Sequence, residues 1–367
     1  MREFIDGNAA IVRGALAAGC SFFAGYPITP ASGILMAMMD ELPRRGGVAI
    51  QGEDEIASIG MCIGAAMTGA RAMTATSGPG LSLYSENIGL AVMGEVPLVI
   101  VDVQRLGPAT GGATTVGQAD VQFVRWGTSG GYPIVALAPS TVADCYRLTI
   151  RAFDLAERFR CPVFVLTDKE IATTLATVEA DAFAPVDVRE RVLATLGAPY
   201  RYEPAGDTPP MRRFGAGEPV RFTGSTHDER ALITKHAPTI GALNHHLAAK
   251  IEEHLDEIEL VEADVQPAAR TLVLSYGVTA GAARLAVERA RGAGKAVSGL
   301  VVQSLWPVPE RAIAAALAGV ARVVVPELNL GQYRREVERI AAGREVVGIN
   351  RVDGELIAVD EIVEAIA

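Results

Sequence analysis

Gly25-Tyr26-Pro27-Ile28-Thr29-Pro30 joins two kinds of chain. Before it, Cys20-Ser21-Phe22-Phe23-Ala24 has the make-up of a short buried strand. After it, Ala31 to Leu42 reads as a helix. Threonine is a good N-cap and proline suits the first helical position, so Thr29 and Pro30 predict the helix start. The acids of this helix, Asp40 and Glu41, fall in its last turn, whereas the first turn, Pro30-Ala31-Ser32-Gly33, carries no carboxylate. Its N-terminus is therefore electropositive, with free N–H groups beside a threonine hydroxyl. That is a setting for a small anion.

The same strand–turn–helix unit repeats outward from this point. Asp6 to Ala18 predicts an amphipathic helix packed through Ile11, Val12, Ala15 and Leu16. Val48 to Gln51 is the next strand, leading into Glu53-Asp54-Glu55 and a helix from Ile56 to about Gly69. No charge separates Glu55 from Arg71, so this helix is expected to be buried all round, with its carboxylates at the mouth. Arg71 to Thr76 is a strand, and Ser77-Gly78-Pro79-Gly80 a tight turn whose glycines permit close backbone approach. Leu81 to Met93 follows as a helix with Glu86 its one charge. The apolar strand Pro97 to Val103 ends in Gln104-Arg105 and a loop, Leu106 to Gln118, of a length that usually carries function. A short helix at 119–126, a helix at 141–159 and strands at 133–138 and 162–167 continue the alternation. Residues 1–175 thus predict an α/β, doubly wound parallel sheet.

From about Thr173 the character changes. Residues 176–230 include Pro185, Pro199, Pro204, Pro209, Pro210 and Pro219 and few apolar runs. They predict an extended linker, anchored by Tyr200, Tyr202, Phe214 and Phe222. Residues 231–367 predict a smaller α/β domain with a parallel sheet. It has a long helical region over 237–262 and strands at Thr271–Tyr276, Val297–Val302, Ala321–Pro326 and Glu345–Ile349.

Composition narrows the partners. The net charge of −10 and pI near 5.2 argue against nucleic acid, whose phosphates need a basic surface. A mean hydropathy of +0.26 over 367 residues is high, yet no charge-free apolar run reaches membrane-span length. The apolar excess points to protein–protein interfaces. Met1-Arg2-Glu3-Phe4 shows no apolar leader pattern, so the expected location is cytoplasmic. Cys20, Cys62, Cys145 and Cys161 are scattered, without CxxC spacing, and suit neither an iron–sulfur cluster nor zinc.

Three features fall at strand ends, where open α/β sheets place ligands: Thr29, the Glu53–Glu55 cluster and Arg105. Together they suggest a cleft that binds an anion and uses one acid. A dinucleotide fingerprint, a phosphate loop and a serine elbow are all missing. His227, His236, His245, His246 and His254 lie outside the first domain and offer no metal site there.

The motifs themselves resemble a family. Phe23-Ala24-Gly25-Tyr26-Pro27-Ile28-Thr29-Pro30 is similar to the YPITP motif of 2-oxoacid:ferredoxin oxidoreductase α subunits. Gln51-Gly52-Glu53-Asp54-Glu55-Ile56-Ala57, Ala72-Met73-Thr74-Ala75-Thr76-Ser77-Gly78-Pro79-Gly80 and Val101-Asp102-Val103-Gln104-Arg105 follow in the same order. Gly107-Pro108, Thr110-Gly111, Ser275-Tyr276-Gly277 and Leu305-Trp306-Pro307 extend the likeness over nearly the whole chain. It is greatest to the 2-oxoglutarate members, which share a separate α subunit without a fused γ domain. The resemblance implies a thiamine diphosphate-binding, pyrimidine-type domain over 1–175 and a transketolase C-terminal-like domain over 231–367.

The resemblance also implies a division of labour. A β subunit would carry the diphosphate and Mg2+ site and a 4Fe-4S cluster, within an (αβ)2 or larger complex. The present sequence lacks the GDG metal motif with its later asparagine, because Asp353-Gly354 lies too near the C-terminus. Glu55 would hydrogen-bond the pyrimidine N1′ and favour its imino tautomer, with Ser77, Gly78 and Pro79 beside the cofactor. Thr29 and Arg105 would hold the 2-oxoacid carboxylate, with Tyr26 in the same pocket and Thr114 near the acyl tail. The run Leu106 to Thr114 departs from the commoner GGPSTGLPT, which bears on substrate choice. The implied reaction is oxidative decarboxylation of a 2-oxoacid, foremost 2-oxoglutarate, with coenzyme A to succinyl-CoA. Electrons would pass to ferredoxin or another electron-accepting subunit. The alternatives are a branched-chain 2-oxoacid enzyme, a non-oxidative decarboxylase or transketolase-like subunit, and a non-catalytic paralogue.

Overall fold

The structure, a computed structural model, describes residues 2–217 and 219–366. In chain order the first elements are β1 (Arg2–Ile5), α1 (Gly7–Ala17), β2 (Phe22–Gly25), α2 (Ser32–Arg44), β3 (Val48–Gln51), α3 (Glu55–Met67) and β4 (Ala72–Thr76). Then come α4 (Gly78–Leu83), α5 (Ser85–Met93), β5 (Leu98–Gln104), α6 (Val121–Trp126), β6 (Val135–Leu137), α7 (Val142–Phe159), β7 (Pro162–Asp168), α8 (Lys169–Thr173) and β8 (Ala176–Glu179). The remainder holds α9 (Ala237–Glu252), α10 (Leu255–Ile258), β9 (Val261–Asp264), β10 (Thr271–Ser275), α11 (Thr279–Gly292), β11 (Val297–Val302) and β12 (Ser304–Trp306). It ends with α12 (Glu310–Ala316), β13 (Arg322–Glu327), α13 (Arg334–Ala341), β14 (Glu345–Asn350) and α14 (Val359–Ala365).

One sheet has the order β12-β6-β7-β5-β4-β2-β3, another β14-β13-β10-β11-β9, and β1 pairs with β8 in a two-stranded ribbon. The six strands from β6 to β3 are parallel to their neighbours. β12 joins the first sheet antiparallel to β6, and β9 joins the second antiparallel to β11. The expectation of an all-parallel second sheet is corrected at that edge. The β12 pairing unites residues 304–306 with a sheet built otherwise from the first 168 residues, a contact that no local pattern announces.

Strand alternation sorts the core of the first sheet. Val99, Val101 and Val103 of β5 pack with α1, α2 and α7 through Ile11, Met38 and Phe153. Leu98 and Ile100 face the other way, toward Ile59, Tyr84 and Tyr276. Asp102 shares that second face and is fully buried.

Three helical expectations are corrected. α3 is not buried all round: Ile56, Ala57, Gly60 and Gly64 are exposed, although none is charged. Lack of charge forbids nothing at a surface that another chain can cover. The 81–93 region is two helices, α4 and α5, which meet at Tyr84. The 237–262 helix breaks after Glu252, and α10 and β9 follow. Residues 184–236 carry no helix or strand among those described, and they lie against the first sheet's helices. Arg191 pairs with buried Glu157 at 2.7 Å, while Tyr200 and Met211 are fully buried.

A buried ionic cluster fixes the C-terminal half of α9. Glu95 is fully buried, with Oε2 accepting from Lys250 Nζ at 2.9 Å and meeting His246 Nε2 at 3.2 Å. His246 Nδ1 accepts from the Gly206 backbone N–H at 3.1 Å, which leaves the ring proton on Nε2 to donate to Glu95. Burial alone would raise the Glu95 pKa; Lys250, His246 and Arg160 outweigh it and hold the carboxyl below its ordinary range. Stability from this site is therefore full above the ordinary glutamate pKa of 4.5 and is lost as pH falls below it. Lys250→Met should cost about 3–5 kcal/mol in urea unfolding at neutral pH, because it leaves Glu95 charged and buried. Adding Glu95→Gln should recover part of that loss; equal stability of the wild type and the single variant would contradict this account.

Candidate active site

β2 and β3 grow the first sheet in one direction, and β4, β5 and β7 grow it in the other. The reversal lies between β2 and β4, and the crevice belongs at the C-terminal ends of the strands there. Thr29, Glu55, Ser77 and Arg105 follow β2, β3, β4 and β5 respectively, four adjacent strands.

Glu55 is the first residue of α3. Asp54 is its N-cap, with Oδ1 accepting from the Ala57 N–H at 2.7 Å. The cap role falls to Asp54, which with Glu53 is exposed, and Glu55 is left to turn inward, 7% exposed. Its carboxylate accepts no hydrogen bond from the described residues. It lies against the first turn of α4. A Cβ on Gly80 would lie 2.6 Å from Glu55 Cγ and 2.8 Å from Oε1, and nearer still to Thr76 Oγ1. Only glycine lets the backbone come this close.

Thr29 does not cap α2, contrary to the sequence expectation. The Thr29–Pro30 peptide is cis, the Pro30 carbonyl accepts from Asn8 Nδ2 at 3.1 Å, and the first helical carbonyl is that of Ala31, which accepts from Ile34 N–H at 3.0 Å. The Thr29 carbonyl instead accepts from Arg105 Nη1 at 2.5 Å. The structure thus brings Thr29 and Arg105 together. Arg105 is 5% exposed, and its Nε has no partner among the described residues. Thr29 is exposed, and Tyr26 is 37% exposed in the same turn. Thr114 sits exposed on the loop after β5, and no hydrogen bond joins it to Arg105 or Thr29. That loop is ordered by Leu106 N–H donating to the Thr115 carbonyl at 3.0 Å and Gly112 N–H to the Leu106 carbonyl at 2.9 Å. Its far end is pinned to the second sheet: Gln118 Nε2 donates to the Tyr276 carbonyl at 3.2 Å, and Oε1 accepts from Leu328 N–H at 3.1 Å.

Ser77 is the N-cap of α4 but makes no cap bond, and its buried Oγ has no partner. Gly78 and Pro79 form the turn that follows and are half-buried. An orphaned hydroxyl, a carboxylate without a donor and a glycine cradle between them fit a polar heterocycle such as the aminopyrimidine of thiamine diphosphate. The cysteines do not enter this site. All four are buried free thiols, and burial pushes Cys20 up to about 12 and Cys161 to about 11. Among the described residues no group of three or more His, Cys, Asp or Glu side chains could hold a metal ion.

Sequence reasoning passed over two acids at this crevice. Asp102 is buried with neither carboxylate oxygen bonded, and Asp120, at the N-cap position of α6, makes no cap bond. Burial raises both pKa values, Asp102 well above the usual range and Asp120 to about 6, with each acid acting on the other and Arg105 pulling both back down. The available signal was a charged residue in the middle of an otherwise apolar, buried strand.

Comparison with known proteins shows the family. A family model described as pyruvate flavodoxin/ferredoxin oxidoreductase, thiamine diphosphate-binding, matches residues 13–243, and one described as pyruvate:ferredoxin oxidoreductase core domain II matches 269–362. The chain is 42% identical to a 2-oxoglutarate synthase subunit KorA of Methanothermobacter thermautotrophicus, over 99% of this chain and 97% of that one. It is 34% identical to a ketoisovalerate oxidoreductase subunit VorB of the same organism, over 99% and 97%. Among solved structures it matches a 2-oxoglutarate:ferredoxin oxidoreductase from Magnetococcus marinus with a TM-score of 0.94 and 30% identity, covering all of this chain and 64% of that one. Among the described residues no helix is long and apolar enough to cross a membrane. Matched over nearly its whole length in sequence and over all of it in fold, the chain belongs to the 2-oxoacid:ferredoxin oxidoreductase family, as an α subunit.

Proposed function

We propose that this chain is the α subunit of a cytoplasmic, thiamine diphosphate-dependent 2-oxoglutarate:ferredoxin oxidoreductase. It takes part in converting 2-oxoglutarate and coenzyme A to succinyl-CoA and carbon dioxide. The observation that carries this reading is the placing of Glu55 and Arg105 at ends of one four-strand row, an unpartnered carboxylate and a buried cation in one crevice. The solved Magnetococcus marinus relative holds 2-oxoglutarate, coenzyme A and succinyl-CoA, which supports this substrate. The greater identity to the 2-oxoglutarate synthase subunit than to the ketoisovalerate subunit, 42% against 34%, favours it over a branched-chain 2-oxoacid.

Thiamine diphosphate, when bound, supplies a nucleophilic carbon and an electron sink for decarboxylation. Glu55 holds a proton at the pyrimidine N1′, and the dry helix mouth strengthens that bond. Ser77 Oγ and the Gly78–Pro79 turn hold the edge of the ring. Arg105 grips the substrate carboxylate as a charge-assisted donor, with Thr29 and Tyr26 beside it, and Thr114 borders the tail. A β subunit would supply the diphosphate and Mg2+ site and a 4Fe-4S cluster, which would carry electrons on to ferredoxin. The uncharged outer side of α3, with Ile56 49% exposed, and Leu83 of the neighbouring α4 at 48% suit the cover of that partner.

Three variants of the assembled complex test the assignment. Glu55→Gln should lower turnover about 100-fold or more, on the scale of general acid–base catalysis. Full turnover by this variant would remove Glu55 from the reaction and leave a non-catalytic paralogue as the better reading. Arg105→Met should raise KM for 2-oxoglutarate about 10-fold or more, whereas binding of thiamine diphosphate, followed by calorimetry, should be unmoved. Gly80→Ala should force Glu55 aside and cut activity about 10-fold or more, with circular dichroism little changed; wild-type turnover would show that the Glu55–Gly80 contact is not needed.

A further inference from the structure

Asp102 and Asp120 have no part in the reaction as derived above, and their arrangement needs a cause. Asp102 sits on the inward face of β5, opposite Thr76 of β4 and Leu166 of β7. It is fully buried, and both of its oxygens lack a donor. Asp120 occupies an N-cap position, where an aspartate ordinarily accepts from the backbone of the next turn, yet its side chain does not do so. Its backbone N–H is held by Gln104 Oε1 at 3.2 Å, and its carboxylate is turned to Asp102, with Oδ2 buried and unpartnered. On its other side that carboxylate touches the cofactor turn: a Cβ on Gly78 would lie 3.0 Å from Oδ1 and 3.1 Å from Oδ2. The charged group acting on both acids is Arg105, and in the sheet Asp102 is flanked by Thr76 of β4 and Leu166 of β7.

Two carboxylates that meet without a donor cannot both stay ionised out of water. We propose that Asp102 and Asp120 share one proton at neutral pH and that this acid pair positions Arg105 for the 2-oxoacid carboxylate. With one proton the pair carries a single negative charge against one guanidinium. That is enough to hold Arg105 in the crevice and too little to repel an incoming anion. The shared proton also satisfies oxygens that would otherwise be orphaned. A second negative charge would compete with the substrate for Arg105, and loss of one carboxylate without a replacement donor would leave the other charged and free to capture the guanidinium. The pair is one contact from Gly78, so its protonation is sensed at the wall of the cofactor site as well. This inference rests on Arg105 as the carboxylate-binding residue.

The test uses the assembled complex. Asp120→Asn supplies an amide donor where the shared proton sits, and Asp120→Ala supplies none. KM for 2-oxoglutarate should rise about 10-fold in Asp120→Ala, and Asp120→Asn should restore most of it. In the wild type KM should fall as pH goes up through about 6, where Asp120 titrates, because the pair then gains the single negative charge that holds Arg105 in place. In Asp120→Asn that slope should flatten between about pH 5 and 8. Infrared difference spectroscopy should show a protonated-carboxyl carbonyl band at neutral pH that is lost in both Asp102→Asn and Asp120→Asn. Absence of that band from the wild type overturns the shared proton outright, whatever Arg105 does. A band that is present together with an unaltered KM slope in Asp120→Asn overturns the positioning role. If Arg105→Met leaves KM at the wild-type value, the assignment of Arg105 fails and the positioning role with it, while the band alone then decides the proton.

Discussion

A carboxylate removed from water requires a cation, a donor or a proton. Most of what is distinctive in this structure follows from how that requirement is met at four places. Glu95 meets it with Lys250, His246 and Arg160, and the result is a fixed seat for α9. Glu157 meets it with Arg191, and the result ties the irregular segment to α7. Asp102 and Asp120 meet it with each other. Glu55 has no partner among the described residues, and it lies at the end of a strand beside the topological switch point. The first two are structural, and the last two line the crevice.

The division follows from sheet geometry. Parallel strands deliver their C-terminal ends to one edge, so residues 29, 55, 77 and 105 become neighbours despite wide separation in sequence. Glycine then sets the depth of the crevice. Gly80 lets α4 reach Glu55, and Gly78 lets the same turn reach Asp120, so one short turn is gripped by acids from two sides. The second sheet contributes rigidity through Gln118 and Asp168, whose Oδ2 accepts from the Val278 N–H at 2.7 Å. The loop that borders Arg105 is thereby anchored at its far end.

Much of this was legible in the residues, because the motifs that carry chemistry sit at strand ends and the strands are apolar runs of the right length. Glu55, Ser77 and Arg105 could be placed on their elements from pattern alone. The start of α2 could not: Thr29 and Pro30 have the residue types of a helix start, yet the Pro30 carbonyl is drawn to Asn8 and the Thr29 carbonyl to Arg105, both non-local partners. The exposed side of α3 was misjudged because an uncharged helix is equally suited to a core and to a subunit interface. β12 was missed as a strand of the first sheet because its partner lies more than 160 residues away. The acid pair hid in plain view, as Asp120 looks like a helix cap until its side chain is seen to point elsewhere.

The central claim is that the strand ends of this chain form one working crevice, with Glu55 serving the cofactor and Arg105 the substrate. A crystal structure of the assembled complex with thiamine diphosphate and 2-oxoglutarate tests it directly. The account predicts a Glu55 carboxylate oxygen within hydrogen-bond distance of the pyrimidine N1′ and the Arg105 guanidinium on the substrate carboxylate. A pyrimidine bound away from Glu55, or a substrate carboxylate held by other cations with Arg105 still closed on Thr29, would contradict it.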